Sequence, residues 1–425
     1  MMEASKYIKS LNQDVLIVLG GSWALTEPEI CIQDQNIDIV CYGEGDNFLL
    51  DLLDYREGKT NIEEVKGIVY RNKEGIIKKT GHRPLVQDLD SLPQIPFHLV
   101  NIKDYSAVGF EDGKLSMAFV TSRGCPFRCT FCADVGLYGR TWRAYSVERI
   151  MNDLKYLEEN YGIKDFYFND SNLAGNLKHF ENFIDALILA NRGYSWGTAG
   201  IRADTLMRFD DEMMQKIIKS GCKNIDVGVE SGNQRILKLI KKDLSLDLVK
   251  EVNIKLSNYP IIIKYSFMGG FPTETEQEFS DTLNFRKLLL KENPYAAAPM
   301  FFCTPLPNTE MFDLALELGM KLPKNLSGWA DFNYNNWYKK YPSWLSQKKI
   351  NLIENAVFIS YFSTKKLGYK YTNPLMKMMF NAYHPLAKFR YDHNFYRLML
   401  EKKVADLIGK INDKFDLFNR WQKKS

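Results

Sequence analysis

Between residues 113 and 320 an apolar segment followed by a helical one recurs six times. Strands are predicted at Leu115–Thr121, Asp165–Asn169, Ser195–Ile201, Asn224–Val229, Ile261–Met268 and Ala298–Thr304. Helices are predicted at Ser146–Tyr161, Asn176–Asn191, Asp210–Ser220, Gln234–Ile240 with Leu246–Ser257, Glu274–Lys291 and Thr309–Leu318. A repeat of roughly 30–40 residues fits βαβ units, whose crossovers are right-handed. Six such units curl into a partial (β/α)6 TIM-like barrel, an α/β fold. In barrels of this kind the chemistry lies at the C-terminal ends of the strands, so the segments leaving each strand are the candidate site.

The flanks differ from this zone. Residues 1–90 read as a short Rossmann-like α/β domain. The runs Asp14–Leu19 and Ile37–Tyr42 end in Gly-rich turns, and a hairpin is predicted around Asn72–Gly75. A Pro-punctuated linker follows from Leu85, with Pro84, Pro93 and Pro96, and residues 91–112 are assigned to it as the linker proper. Residues 321–425 read as mainly helical, with amphipathic helices at Gln347–Phe362 and Arg397–Phe415. From Lys339 onward there are 18 basic and six acidic residues, whereas the whole chain carries only +4. So small an overall excess excludes a polycation that coats nucleic acid. The basic stretch Arg397–Val404 suits either a surface helix that docks on a membrane surface or an anionic protein, or a solvated face. No run approaches the roughly 20 apolar residues of a membrane span, and the N-terminus has no apolar signal core. Both features point to a cytoplasmic protein without a transmembrane segment.

Three of the seven cysteines fall on one loop, immediately after the first barrel strand. Cys125, Cys129 and Cys132 form Cys-x3-Cys-x2-Cys. Thiolates are soft ligands for iron–sulfur clusters or zinc. Complete sites of either kind usually take four protein ligands. Three thiolates with no fourth nearby imply a cluster with one open iron, or a zinc site completed by a distant residue. Phe131 would shield one side of a cluster. Cys222 and Cys303 lie in apolar surroundings and read as small buried hydrophobes.

The loop and the repeats together resemble the radical S-adenosylmethionine enzymes. The resemblance implies a [4Fe-4S] cluster on Cys125, Cys129 and Cys132, whose open iron chelates S-adenosyl-L-methionine. One electron, from a donor such as flavodoxin or ferredoxin, then cleaves the sulfonium to a 5′-deoxyadenosyl radical. The other strand ends fit the family in the following ways. Asn169-Asp170-Ser171 stands where members contact the methionine amino group, so Asp170 is either a cofactor contact or the N-cap of the next helix. Arg202 is a cation suited to a carboxylate, or an ion-pair partner of Asp204 or Asp210. Gly228-Val229-Glu230-Ser231-Gly232 resembles the segment that binds the cofactor's ribose or methionyl end, which implicates Glu230 and Ser231. Arg235 and Lys241 either join them or solvate the helix. Gly269-Gly270-Phe271-Pro272-Thr273-Glu274-Thr275 resembles the family's Gly-x-Pro-x-Glu-Thr. There Gly269 would admit an adenine, while Thr273 and Glu274 also read as a helix start. Cys303 to Thr309 resembles Thr-Pro-x-Pro-x-Thr. No catalytic acid or base is singled out, since His82, His98, His179, His384 and His393 form no motif. Trp329, Tyr334, Trp337 and Tyr338, with His384 and His393, read as a lid over the barrel or as core packing.

Val15–Gly21 and Ile39–Gly45 resemble the second half of the cobalamin-binding domain that precedes many of these barrels. Gly20, Gly21, Ser22, Gly43 and Glu44, with Gly45, would cradle the corrinoid's nucleotide tail. Only 14 residues precede Val15, and the Asp-x-His-x-x-Gly cobalt-ligand motif is absent. The expectation is a truncated domain, completed by another chain or by residues upstream of Met1. The function implied is B12-type methyl transfer to, or a related modification of, an unactivated carbon of a small molecule. The alternatives are a cobalamin-independent radical cyclase or oxidoreductase and a non-catalytic iron–sulfur partner protein.

Overall fold

The computed structural model describes residues 2–108, 115–323, 326–330, 332–333, 337–364 and 374–403. The chain divides into two compact units that interleave in sequence. One joins Met1–Gln94, Arg123–Ser146 and Thr304–Ser343, and the other joins Ile95–Ser122, Val147–Cys303 and Trp344–Ser425.

The first unit holds a four-stranded sheet in sequential order: β1 (Val18–Leu19), β2 (Ile39–Cys41), β3 (Ile68–Arg71) and β4 (Ile77–Lys79). Only β1 and β2 are parallel; β2, β3 and β4 pair antiparallel. The expected hairpin is present, with Asn72 N–H donating to the Ile76 carbonyl at 3.0 Å and Gly75 at φ +80°. Side chains alternate across the sheet, as the pleat requires. Val40, Tyr42 and Val69 pack with Ala24, Cys31 and Ile32 on one face. Ile39, Cys41, Ile68 and Tyr70 pack with Phe48, Leu52 and Val65 on the other. In the same unit Trp329 lies 4.7 Å from Trp23, and Trp337 is fully buried. These two tryptophans are core residues; Tyr334 lies outside the described residues.

The second unit is built on a sheet of parallel strands, a partial TIM barrel. Its strands are β5 (Ser106–Val108), β6 (Leu115–Phe119), β7 (Asp165–Phe168), β8 (Ser195–Thr198), β9 (Cys222–Glu230), β10 (Ile262–Gly269), β11 (Ala296–Ala297) and β12 (Met300–Phe302). The order is β11-β10-β9-β8-β7-β6-β5, with β12 also on β10. All pairs are parallel except β5–β6. The antiparallel β5 falls inside the stretch expected to be linker. All six expected barrel strands are present, each within a few residues of its predicted limits.

Capping side chains start the crossover helices where the sequence expects them. Asn176, Asp210, Asn233 and Ser245 each accept from a backbone N–H in the first turn of the following helix. The helix Glu276–Glu292 starts two residues later than expected, because Thr275 and Glu278 form a capping box. Glu274 is therefore not part of the helix start. A short helix at Ala203–Arg208 was not anticipated. In the C-terminal zone Gln347–Phe362 is helical as expected, and a second helix covers Pro374–Asp392. The helix predicted at Arg397–Phe415 is described only to Lys403, with helical residues from Leu400. Among the described residues no helix is long and apolar enough to cross a membrane.

Candidate functional site

The cysteine loop is shaped by backbone constraint. Gly124 precedes it at φ +83°, and a Cβ there would stand 2.4 Å from the Thr141 carbonyl, so only glycine fits. Cys132 N–H donates to the Cys129 carbonyl at 3.1 Å, closing a tight turn. The helix Ala133–Tyr138 begins immediately after Cys132 and ends on left-handed Gly139. All three thiols are half-buried, as is Phe131. The Cys132 thiol is pushed up to about 12, first by burial, then by Asp134 and by Cys129 and Cys125. Among the described residues no three His, Cys, Asp or Glu side chains converge to hold a single ion.

In the same unit the turn Gly20–Ser22 leads into the helix Ser22–Thr26, with Gly21 at φ +96°. A Cβ at Gly21 or Gly45 would meet nothing within 4 Å, and one at Gly20 only Cys41 at 4.0 Å, so these turns border open space. Gly43 is tighter, 3.4 Å from the Arg83 Cβ. Glu44 is not open. Its carboxylate accepts from Val86 N–H at 2.7 Å, from Arg143 at 2.8 and 3.0 Å, and from Arg123 at 3.1 Å. Arg123 also pairs with Asp46 at 2.7 Å. Burial pushes the Glu44 carboxyl up, but hydrogen bonds from Arg143, the Val86 amide and Arg123 outweigh it and hold the group low. Arg123 is two residues from Cys125, so Glu44 braces the cysteine loop. Neither arginine was foreseen as its partner, because nothing in the spacing links positions 44 and 143.

In the barrel unit Asp170 is 2% exposed and accepts from Thr121 N–H at 3.0 Å, Thr121 Oγ1 at 2.8 Å and Ser122 Oγ at 2.5 Å. Burial nonetheless raises its carboxyl. It ties the exit of β7 to the exit of β6, and the N-cap role falls to Asn176 instead. Arg202 forms a two-pronged pair with Asp204, at 3.0 Å on each prong, and donates to the Lys242 carbonyl. Of the two partners read for it, Asp204 is the one it meets; Asp210 caps the helix Asp211–Lys219.

Glu230 sits at a bulge in β9 with φ +74°. Its Oε1 accepts from Lys242 Nζ at 2.9 Å, and both side chains are about nine-tenths buried. A Cβ on Gly228 would lie 2.2 Å from that oxygen and 2.8 Å from the ammonium. The glycine of Gly-x-Glu therefore makes room for an ion pair. Lys242 was missed, with Lys241 taken in its place. Ser231 contacts Thr282 Oγ1 at 3.1 Å and accepts from Asn233 N–H. Gly269 leaves space for Phe279, 2.4 Å from where its Cβ would be, so its glycine is demanded by packing. Glu274 is buried beside Lys349, and burial pushes its carboxyl up to about 7 against the pull of the lysine. Cys222 and Cys303 are buried, as expected. Lys349 comes from the C-terminal zone and carried no sequence signal.

Residues 119–286 match the profile of the radical SAM superfamily. Among proteins similar to this chain, an uncharacterized methyltransferase of Pyrococcus horikoshii is 29% identical over 368 residues, 85% of this chain and 76% of that one. The cytidylyl-2-hydroxyethylphosphonate methyltransferase of Streptomyces wedmorensis is 25% identical over 74% of this chain and 63% of its own length. A solved structure of the cobalamin-dependent S-adenosylmethionine radical enzyme OxsB, with aqua-cobalamin and S-adenosylmethionine bound, shares the fold over 97% of this chain. The TM-score is 0.70 at 19% identity, and the match covers 64% of the OxsB chain. The chain thus spans under two thirds of the length of the last two proteins.

Proposed function

We propose that this chain is a radical SAM enzyme that transfers methyl to an unactivated carbon of a small molecule, with cobalamin as the methyl carrier. The observation that carries the reading is the Cys125–Cys132 loop, three cysteines in eight residues directly after a barrel strand, with Cys132 N–H turned onto the Cys129 carbonyl. Cys125, Cys129 and Cys132 hold the [4Fe-4S] cluster, and Phe131 shields it. The bound cluster supplies the electron that cleaves S-adenosylmethionine reductively. Asp170, Arg202, Glu230, Ser231 and Gly269 form the cofactor side of the barrel. Asp170 and Arg202 act by fixing strand exits, and Glu230 offers its second oxygen to a hydroxyl while Lys242 holds the first. In the leading zone, residues 1–90, the open turn at Gly20, Gly21 and Ser22, together with the tighter turn at Gly43 and Glu44, receives the corrinoid tail. Methyltransferase relatives and the fold of OxsB across nearly the whole chain support this assignment. Residues 91–112 link this zone to the core at 113–320, and 321–425 close the chain. An electron donor such as flavodoxin or ferredoxin serves the cluster, and a further polypeptide completes the leading sheet. The setting that goes with this reading is the cytoplasm.

The test is anaerobic purification and reconstitution with hydroxocobalamin. Retention of about one corrinoid per chain, lost on Gly21→Trp substitution, is the expected result. A chain that cleaves S-adenosylmethionine but retains no corrinoid contradicts methyl transfer through cobalamin and leaves the cyclase or oxidoreductase reading.

A further inference from the structure

The loop after β10, residues 270–275, holds an improbable backbone. Gly270 has φ +86° and Thr273 φ +66°. A β-branched residue in the left-handed region costs of order 1–3 kcal/mol and persists only where its surroundings enforce it. Within the loop, the Glu274 carboxylate accepts from Gly270 N–H at 2.8 Å. From the start of the helix Gln234–Leu239, Arg235 donates to the Thr273 carbonyl at 3.0 Å and pairs with Glu278. From the C-terminal zone, Trp344 Nε1 donates to the Gly270 carbonyl at 3.1 Å. Lys349 Nζ donates to the Glu274 carbonyl and stands 3.4 Å from its Oε2. Both members of that pair are buried, with side chains 6% and 0% exposed. A Cβ on Gly270 would stand 3.4–3.5 Å from Ile353, Leu345 and Phe302, so the segment 344–353 lies directly against the loop.

A buried lysine–glutamate pair is a poor way to gain stability, since apolar residues of similar volume usually do as well or better. What it supplies is geometry, because an ammonium aimed at one carbonyl and one carboxylate fixes both. We propose that Lys349 is a positioning residue for S-adenosylmethionine, acting through Glu274 to hold the backbone of Gly270–Thr275, with Trp344 as the second point of a latch. The inference rests on the radical SAM reading, which assigns this loop to the cofactor's adenine.

The test uses the full chain with its cluster reconstituted. Affinity for S-adenosylmethionine is read by anaerobic equilibrium dialysis, and amide exchange by mass spectrometry on the peptide spanning 268–276. Lys349→Met is expected to keep wild-type iron and sulfide content, to exchange the loop amides faster, and to weaken the Kd by about tenfold, roughly 1.4 kcal/mol. Lys349→Arg restores most of the affinity. Trp344→Phe keeps the packing of an aromatic ring, loses one donor, and weakens the Kd by about threefold, about 0.7 kcal/mol. It also reports on the latch where Lys349→Met does not fold. Wild-type Kd and wild-type exchange in Lys349→Met, or in Trp344→Phe if that is the variant that folds, overturn the proposal. A wild-type protein with a full cluster and no affinity for S-adenosylmethionine overturns the functional reading itself, and the latch with it.

Discussion

Each unit buries a glutamate beside a cation, and the two behave in opposite ways. Glu44, in the unit with the cysteine loop, is held below the usual carboxylate range. Glu274, in the barrel unit, is pushed up to about 7. Desolvation is part of the difference, since Glu274 is the more deeply buried and burial is the largest cause of its rise. The number of donors is the other part. Glu44 accepts from two arginines and a backbone amide, which match the two oxygens of its ionised form. Glu274 accepts only from Gly270 N–H and meets its lysine at 3.4 Å, and its Oε1 has no partner among the described residues. One lysine does not offset the full burial of Glu274, whereas two arginines and an amide hold the less deeply buried Glu44 low. The saturated glutamate braces the cysteine loop. The unsaturated one sits in the loop after β10.

The sharpest way to break this contrast is Glu44→Ala. It strands Arg143, whose side chain is 6% exposed, and loosens Arg123. Removing one member of a buried pair costs about 3–5 kcal/mol. Urea unfolding should register that loss, and limited proteolysis should cut first near residues 123–143. Asp170→Ala is the next largest, because it orphans the Thr121 amide and two hydroxyls at a cost of about 1–3 kcal/mol. Asp170→Asn should recover part of it.

Acid and base then separate the two glutamates. The Glu44 contribution is present above 4.5 and is lost as pH falls below that value through the group's depressed folded pKa. The Glu274 contribution has the opposite sign. Between 4.5 and about 7 the folded state holds a proton that the unfolded state has released, so stability declines as pH rises through that window. Lys349, Glu278, Arg235 and Cys303 are the ionisable groups that face it. Urea midpoints at pH 5, 6 and 7 should show this decline, at most about 1.4 kcal/mol per pH unit, and Glu274→Gln should flatten it. The smallest effect is Gly45→Ala, which meets open space and should alter stability by no more than about 0.5 kcal/mol. A large loss there would mean that the turn is packed rather than open.

What was legible in the sequence follows from which forces are local. Six strands and their crossover helices were readable because periodicity and caps such as Asn176, Asp210 and Ser245 act over a few residues. The cysteine loop was readable for the same reason. β5 was not, because a three-residue edge strand carries too little pattern. The partners of the site residues were the least legible. Glu44 meets Arg143, Glu230 meets Lys242 and Glu274 meets Lys349 through tertiary folding alone. Asp170 and Gly269 were singled out for ligand contact, yet their surroundings show each also meeting a structural demand, from Thr121 and Ser122 in one case and Phe279 in the other.

The most direct measurement of the central claim is reductive cleavage of S-adenosylmethionine by the anaerobically reconstituted chain, with dithionite as reductant and 5′-deoxyadenosine quantified by chromatography. Wild-type protein should bind about four irons and form 5′-deoxyadenosine, whereas Cys125→Ala should lose both the cluster and the product while keeping its circular dichroism. Wild-type protein with a complete cluster and no 5′-deoxyadenosine, or a Cys125→Ala variant with undiminished cleavage, would contradict the assignment of the three-cysteine loop as the radical-generating centre.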